Sequence, residues 1–124
     1  MSLNLKGAIG EDAACNYLIK KGFIILKRNF TCRFGELDII AKNKEYILFV
    51  EVKARGERAL ASPCEFVTKS KQRKIITTSL YYLSQNKSDL QPRYDVFEVT
   101  INDNLPPEVI NINHIENAFL THRR

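Results

Sequence analysis

The chain has 124 residues, 44% hydrophobic and 27% charged, a composition that suits one domain (1–124) built around one modest core. Nineteen basic against fourteen acidic residues give a net charge of +5, which permits a polyanionic partner without requiring one. No apolar leader opens the sequence and no run approaches the ~18 apolar residues of a membrane span, so a cytoplasmic protein without a membrane partner is expected.

Cys15, Cys32 and Cys64 are odd in number, far apart and free of any CxxC pairing, and neither histidine lies near one of them. That argues against a disulfide framework or a zinc site and fits reduced thiols.

In chain order, Leu5 to Lys21 reads as a helix stopped by Gly22. Asp12, Asn16 and Lys20 form its polar stripe, whereas Glu11 falls among apolar neighbours and is expected to be partly shielded from water. Phe23 to Lys27 is a short β-rich run, followed by a loop from Asn29 to Gly35. A hairpin comes next, with strands Glu36 to Ala41 and Tyr46 to Lys53 and a turn at Asn43 and Lys44. Ala54 to Pro63 is polar and reads as a loop. Thr68 can cap a second helix running to about Gln85, with Ile76, Leu80 and Leu83 on its buried side. Tyr94 to Ile101 alternates as a strand, Val109 to Ile112 is a candidate last strand, and His114 to Leu120 a short terminal helix. The resulting order, α-β-β-β-α-β-(β)-α, suggests an α/β fold in which helices pack on a mixed sheet.

The hairpin carries the chemistry. Alternation places Glu36, Asp38 and Ile40 on one face of its first strand and Leu37, Ile39 and Ala41 on the other. On the second strand Ile47, Phe49, Glu51 and Lys53 share a side, which sets Glu51 and Lys53 ~7 Å apart at their Cα atoms. If Asp38 faces that side too, two carboxylates and an ammonium converge. Asp38 and Glu51 would then ligate Mg²⁺ or Mn²⁺, with the Val52 carbonyl as a third ligand, since Mg²⁺ takes one or two carboxylates and completes its shell with water and phosphate oxygens. Lys53 beside such a site can orient or deprotonate an attacking water or stabilise charge on a phosphorane.

Each of these residues has a plainer reading. Asp38 and Glu51 could stud an exposed hairpin face, but Ile39, Ile40, Leu48, Phe49 and Val50 make both faces look buried, where a lone carboxylate is costly. Lys53 could be a strand-end lysine paired to Glu51. Glu11 could hold a second ion or a water, or be solvated, and Glu36 could simply cap its strand near Arg33. From Val52 to Lys74 seven basic residues face two acidic ones. Arg55, Arg58, Lys69, Lys71, Arg73 and Lys74 suit nucleic-acid phosphates, with Gln72 among them, although charge runs are often only solvated faces. The pattern gives His114 and His122 no role.

Several stretches resemble the YraN-like family of uncharacterised bacterial proteins: Gly10-Glu11, Arg28-Asn29, Gly35-Glu36-Leu37-Asp38-Ile39-Ile40, Phe49-Val50-Glu51-Val52-Lys53, Lys71-Gln72-Arg73, Arg93-Tyr94-Asp95-Val96 and His114-Ile115. The likeness runs from about Gly7 to Leu120. That family is similar in turn to the PD-(D/E)xK nuclease superfamily and its archaeal Holliday-junction resolvases. The resemblance implies a restriction-endonuclease-like fold and metal-dependent phosphodiester hydrolysis. Asp38 and Glu51 would be metal ligands, Lys53 the catalytic lysine and Glu11 the helix-borne acid. Asp95 takes a recurrent position of undefined role, and Leu37 stands where the superfamily motif has proline. A two-fold dimer, as in junction-cutting relatives, would set paired sites on two strands.

The expected function is that of an Mg²⁺- or Mn²⁺-dependent endonuclease acting on nucleic acid, DNA above all, with branched forms in view. The alternatives are a non-catalytic nucleic-acid-binding module on the same fold and an interaction protein recruited to a DNA-processing complex.

Overall fold

The computed structural model describes residues 3–57 and 67–119. Its elements are α1 (Leu3–Lys20), β1 (Ile24–Cys32), β2 (Gly35–Lys42), β3 (Tyr46–Gly56), α2 (Lys69–Gln85), β4 (Gln91–Ile101) and β5 (Val109–Ile115). The strands form one mixed sheet in the order β1-β2-β3-β4-β5. Only the β3–β4 pairing is parallel; parallel neighbours need a long crossover, and α2 lies within it. No helix among the described residues is long and apolar enough to cross a membrane.

Two apolar layers sandwich the sheet. Ala14, Cys15 and Leu18 of α1 bury Ile39, Ala41, Leu48, Val50, Phe97 and Val99 on one face. Ile75 of α2 joins Leu37, Ile40, Ile47, Phe49, Tyr94 and Val96 on the other. Tyr46 to Val50 of β3 is apolar at every position, because both faces of the strand are covered there.

Local signals fix several ends. Gly22 at φ +95 closes α1, with its N–H and that of Phe23 returning to Ile19 and Leu18, a C-terminal cap that favours glycine. Asn43 Oδ1 accepts the N–H groups of Glu45 and Tyr46 and so builds the β2–β3 turn. Thr68 Oγ1 accepts the Lys71 N–H at 3.1 Å and starts α2.

Other expectations are corrected. The loop expected over Asn29 to Gly35 is mostly strand: β1 continues to Cys32, leaving Arg33 and Phe34 as the turn. Asn29 adopts φ +53, a left-handed conformation asparagine tolerates. Phe30 packs edge-on to Tyr82 of α2, and Leu37 joins Ile40 rather than Ile39 and Ala41. Strict alternation therefore misplaces Leu37. Residues 54–56 are not loop but continue β3, because β4 pairs with it as far as Gly56. Of the expected buried side of α2, Ile76 and Leu83 pack partly buried against the core, but Leu80 is 59% exposed, and the fully buried positions are Ile75, Thr78 and Ser79. Thr78 and Ser79 can be buried because their hydroxyls are bonded, Thr78 to the Lys74 carbonyl and Ser79 to the Ile76 carbonyl and the Tyr94 hydroxyl. The terminal helix expected from His114 is absent from the described residues. His114 and Ile115 finish β5 opposite Phe97 and Val96, and a turn follows at 116–117.

Candidate active site

β2 and β3 pair only from Ile39–Val50 to Lys42–Ile47, while β3 continues to Gly56 alongside β4. Beyond Val50 the two strands part, and β3 presents an unladdered edge. Asp38, the first residue past the last pair, fills that notch. Its Oδ2 accepts the Val52 N–H at 2.7 Å. The N–H and C=O of a strand residue leave on the same side, so the Val52 carbonyl opens toward the same notch.

Ile47 and Phe49 belong to the α2 layer, and alternation carries Glu51 and Lys53 to that face. Glu51 lies close enough to Asp38 for each to act on the other, and within the field of Lys53. Asp38 and Glu51 thus stand beside one another, and Lys53 is near enough to Glu51 to oppose the rise of its pKa. Lys71 adds a cation the hairpin pattern did not foresee: its Nζ lies 3.6 Å from Glu51 Oε2.

Glu11 approaches from the opposite layer. At Gly10 a Cβ would lie 3.0 Å from Ala54 Cβ and 3.6 Å from Val52 Cγ1, so the missing side chain lets α1 lie close on β3. The next residue, Glu11, is 19% exposed and sits 3.5 Å from Arg28, whose guanidinium also holds Asp12 at 2.9 Å. The shielding expected of Glu11 is thus found, and Arg28 is its partner.

The electrostatics follow from crowding. Burial pushes the Asp38 carboxyl up to about 7, the Val52 N–H acts against it, and the charges of Glu51, Glu11 and Glu36 raise it further. Glu51 is likewise raised by burial, opposed by Lys71 and Lys53. Two carboxyls this close resist being ionised together, which adds to the effect of burial.

These oxygens fit a hard divalent cation. Two neighbouring carboxyls stand where β2 and β3 part, with the Val52 carbonyl on the same side of β3 as its N–H. Among the described residues no group of three or more His, Cys, Asp or Glu side chains is placed to hold a metal ion; Mg²⁺ commonly takes only one or two carboxylates, with water and substrate phosphates completing its shell.

The remaining basic candidates distribute unevenly. Lys69, Arg73 and Lys74 are exposed on α2, and Arg55 is half-buried on β3. The Gln72 amide nitrogen is engaged by the Val67 carbonyl at 2.9 Å. Arg58 lies outside the described residues, as do Cys64 and His122.

One buried constellation escaped the sequence reading. Asp95, with no exposed side-chain surface, accepts from Arg93 Nε at 3.0 Å and Nη2 at 2.8 Å. His114 Nε2 lies 2.7 Å from its Oδ2, and the Asn117 N–H 3.0 Å from its Oδ1. These partners hold the Asp95 carboxyl below its ordinary value despite the cost of burial. Arg93 and Asp95, two apart on a strand and so on one face, were the available signal.

The model of the uncharacterised protein family UPF0102 matches residues 10–99. A UPF0102 protein of Clostridium acetobutylicum is 48% identical over 119 residues, covering 94% of this chain and 96% of that protein. One of Clostridioides difficile is 44% identical over 115 residues (92% and 96%), and one of Caldanaerobacter subterraneus 44% identical over 117 residues (91% and 93%).

Proposed function

We propose that this chain, which belongs to the uncharacterised protein family UPF0102, is a divalent-metal-dependent nuclease that hydrolyses phosphodiesters of nucleic acid, DNA in the first instance. The observation that supports this most is the placement of Asp38: a carboxyl fixed by a backbone amide, beside Glu51, and raised to about 7 where two strands part. A crowded acidic pair of that kind is disfavoured until a cation joins it, and strongly perturbed carboxyls in a notch mark functional sites.

Asp38, Glu51 and the Val52 carbonyl would hold Mg²⁺ or Mn²⁺. The ion supplies Lewis-acid stabilisation of charge on the transferring phosphoryl group. Lys53, on the same face as Glu51, orients the attacking water and stabilises the phosphorane. Water oxygen bonds to phosphorus, a P–O ester bond breaks, and the departing oxygen is protonated. Glu11, coupled to Asp38 through charge, tunes the site from the α1 side. Arg55, Lys69, Arg73 and Lys74 meet backbone phosphates, and the absence of a base-reading motif favours recognition by shape and charge.

The test is cleavage of linear, flapped and four-way DNA by the purified chain in Mg²⁺ or Mn²⁺. Wild type should cut at least one substrate. Asp38→Asn and Glu51→Gln should abolish cutting while leaving DNA binding largely intact. Failure of wild type on every substrate in both metals would remove the enzyme reading.

A non-catalytic nucleic-acid-binding module is the second reading, favoured by the Lys71–Glu51 ion pair, which already neutralises one acid. Salt-sensitive binding that ignores divalent ions and yields no product would support it.

A further inference from the structure

We infer that Lys71 is a displaceable counter-ion: it holds Glu51 until a divalent cation arrives, then turns to a phosphate of the bound polyanion. The inference rests on the metal-site reading above and assigns to one residue the coupling between metal and nucleic acid.

Lys71 stands in an unusual place. Thr68 caps α2 and receives the Lys71 N–H at 3.1 Å, which makes Lys71 the third helical residue. An acid favours that position, where it can reach back to the cap and meet the positive end of the helix dipole. Here the first turn holds no acidic residue but two lysines, Lys69 and Lys71. A cation there works against the dipole, and Glu51 is the anion that offsets it.

The contact suits exchange. At 3.6 Å, with Lys71 42% exposed and Glu51 15% exposed, it is longer than a charge-assisted hydrogen bond and reaches solvent on the lysine side, so it is weak. The Arg93–Asp95 pair is the opposite case, two-pronged and with side chains only 12% and 0% exposed. The first can be displaced by a divalent ion; the second is permanent structure. Once a cation takes Glu51, Lys71 is repelled by it and freed beside Lys69, Arg73 and Lys74. Metal and polyanion then strengthen one another's binding, as linkage requires.

The experiment uses the full chain at pH 8. Free Mn²⁺ is followed by electron paramagnetic resonance during titration of wild type, Lys71→Met and Lys69→Met. Binding of a cleavage-resistant phosphorothioate duplex is measured by fluorescence anisotropy with and without Mn²⁺. Lys71→Met should bind Mn²⁺ roughly two- to tenfold more tightly than wild type, because a competing cation has gone. Lys69→Met, the same charge lost from another side of the helix, should differ by less than about twofold. Adding Glu51→Gln should erase the difference, and the Mn²⁺-induced tightening on DNA should shrink in Lys71→Met. The inference is overturned if Lys71→Met binds Mn²⁺ no better than wild type or no better than Lys69→Met, or if neither wild type nor Lys71→Met binds it. Mn²⁺ shifts as expected with no cleavage would remove the nuclease reading and leave the exchange standing. Cleavage by a protein whose Mn²⁺ affinity ignores Lys71 would do the reverse.

Discussion

The Val52 N–H donates to Asp38 Oδ2 at 2.7 Å across the opening between β2 and β3. A side chain thus replaces the ladder bond that a continued β2 would have supplied. This anchors a half-buried carboxyl among Glu51, Glu11 and Glu36, where only the amide and the neighbouring cations oppose the build-up of negative charge.

That anchoring has a pH signature. Asp38 is raised from 3.8 to about 7, so between those values the native chain keeps a proton that the unfolded chain has lost. Stability from this group is full below pH 3.8 and is lost as pH rises through about 7. Urea unfolding should show the metal-free protein less stable at pH 8 than at pH 5, by on the order of a few kcal/mol. Asp38→Asn, which cannot ionise, should flatten that dependence, and Mn²⁺ should restore wild type at pH 8. An unchanged slope in the variant would show that Asp38 is not the titrating group.

Asp95 slopes the other way. Its carboxyl is lowered by His114, Arg93 and the Asn117 N–H against the cost of burial, so it stabilises above pH 3.8 and loses that contribution as pH falls through its native value. It ties β4 to β5 and to the turn after it, beside the Ala118 N–H bonded to the Tyr94 carbonyl at 2.7 Å. Asp95→Ala strands a buried guanidinium and should cost about 3–5 kcal/mol in urea unfolding at pH 7. Any loss of cleavage should follow the unfolded fraction, because Asp95 belongs to the α1 face with His114 and Phe97, away from Glu51. Wild-type stability with lost turnover would instead make Asp95 part of the chemistry.

The contrast between these two carboxylates explains what the sequence could convey. Asp38, Glu51 and Lys53 were found because period-two alternation is local, and because acids inside an apolar hairpin conflict with burial unless something partners them. The same rule misassigned Leu37, which packs with Ile40 in the α2 layer, because the path of an irregular ladder is not encoded in a two-residue period. Thr78 and Ser79 were passed over for Leu80 because their burial depends on acceptors in the preceding helical turn and on Tyr94. Arg93, Asp95 and His114 form one unit only after β5 has docked on β4. Lys71 reaches Glu51 only because α2 packs over β2 and β3. Such meetings are fixed by tertiary packing, which no local period encodes.

Gly10 tests how closely α1 must approach. Alanine gains up to about 1 kcal/mol over glycine within a helix. At this position its methyl would stand 3.0 Å from Ala54 Cβ, with the Ala54 Cα at 3.8 Å. Ala54 is laddered to Val99 of β4 and its methyl has no flexible end to swing aside, so overpacking of about 1–3 kcal/mol should win. Gly10→Ala should lower stability by about 1 kcal/mol net and shift Glu11 relative to Arg28. Gly10→Ala combined with Ala54→Gly should recover the packing loss in thermal unfolding. A more stable single variant would mean that the helix can move aside.

The exposed cations of α2 answer to salt. Lys69, Arg73 and Lys74 are exposed there, and each phosphate they neutralise releases a counter-ion. The slope of log K against log salt should therefore fall in magnitude by about one for each contact removed. Arg73→Ala and Lys74→Ala, measured on duplex DNA by anisotropy from 50 to 200 mM salt as a rough span, should each weaken binding uniformly across sequences and reduce the slope by about one. Lys87→Ala serves as the reference, since that exposed lysine lies beyond the far end of α2, about 25 Å from its start at 1.5 Å per residue. Equal loss from Lys87 would point to a diffuse positive field, and the start of α2 would then no longer be the track for the nucleic-acid backbone.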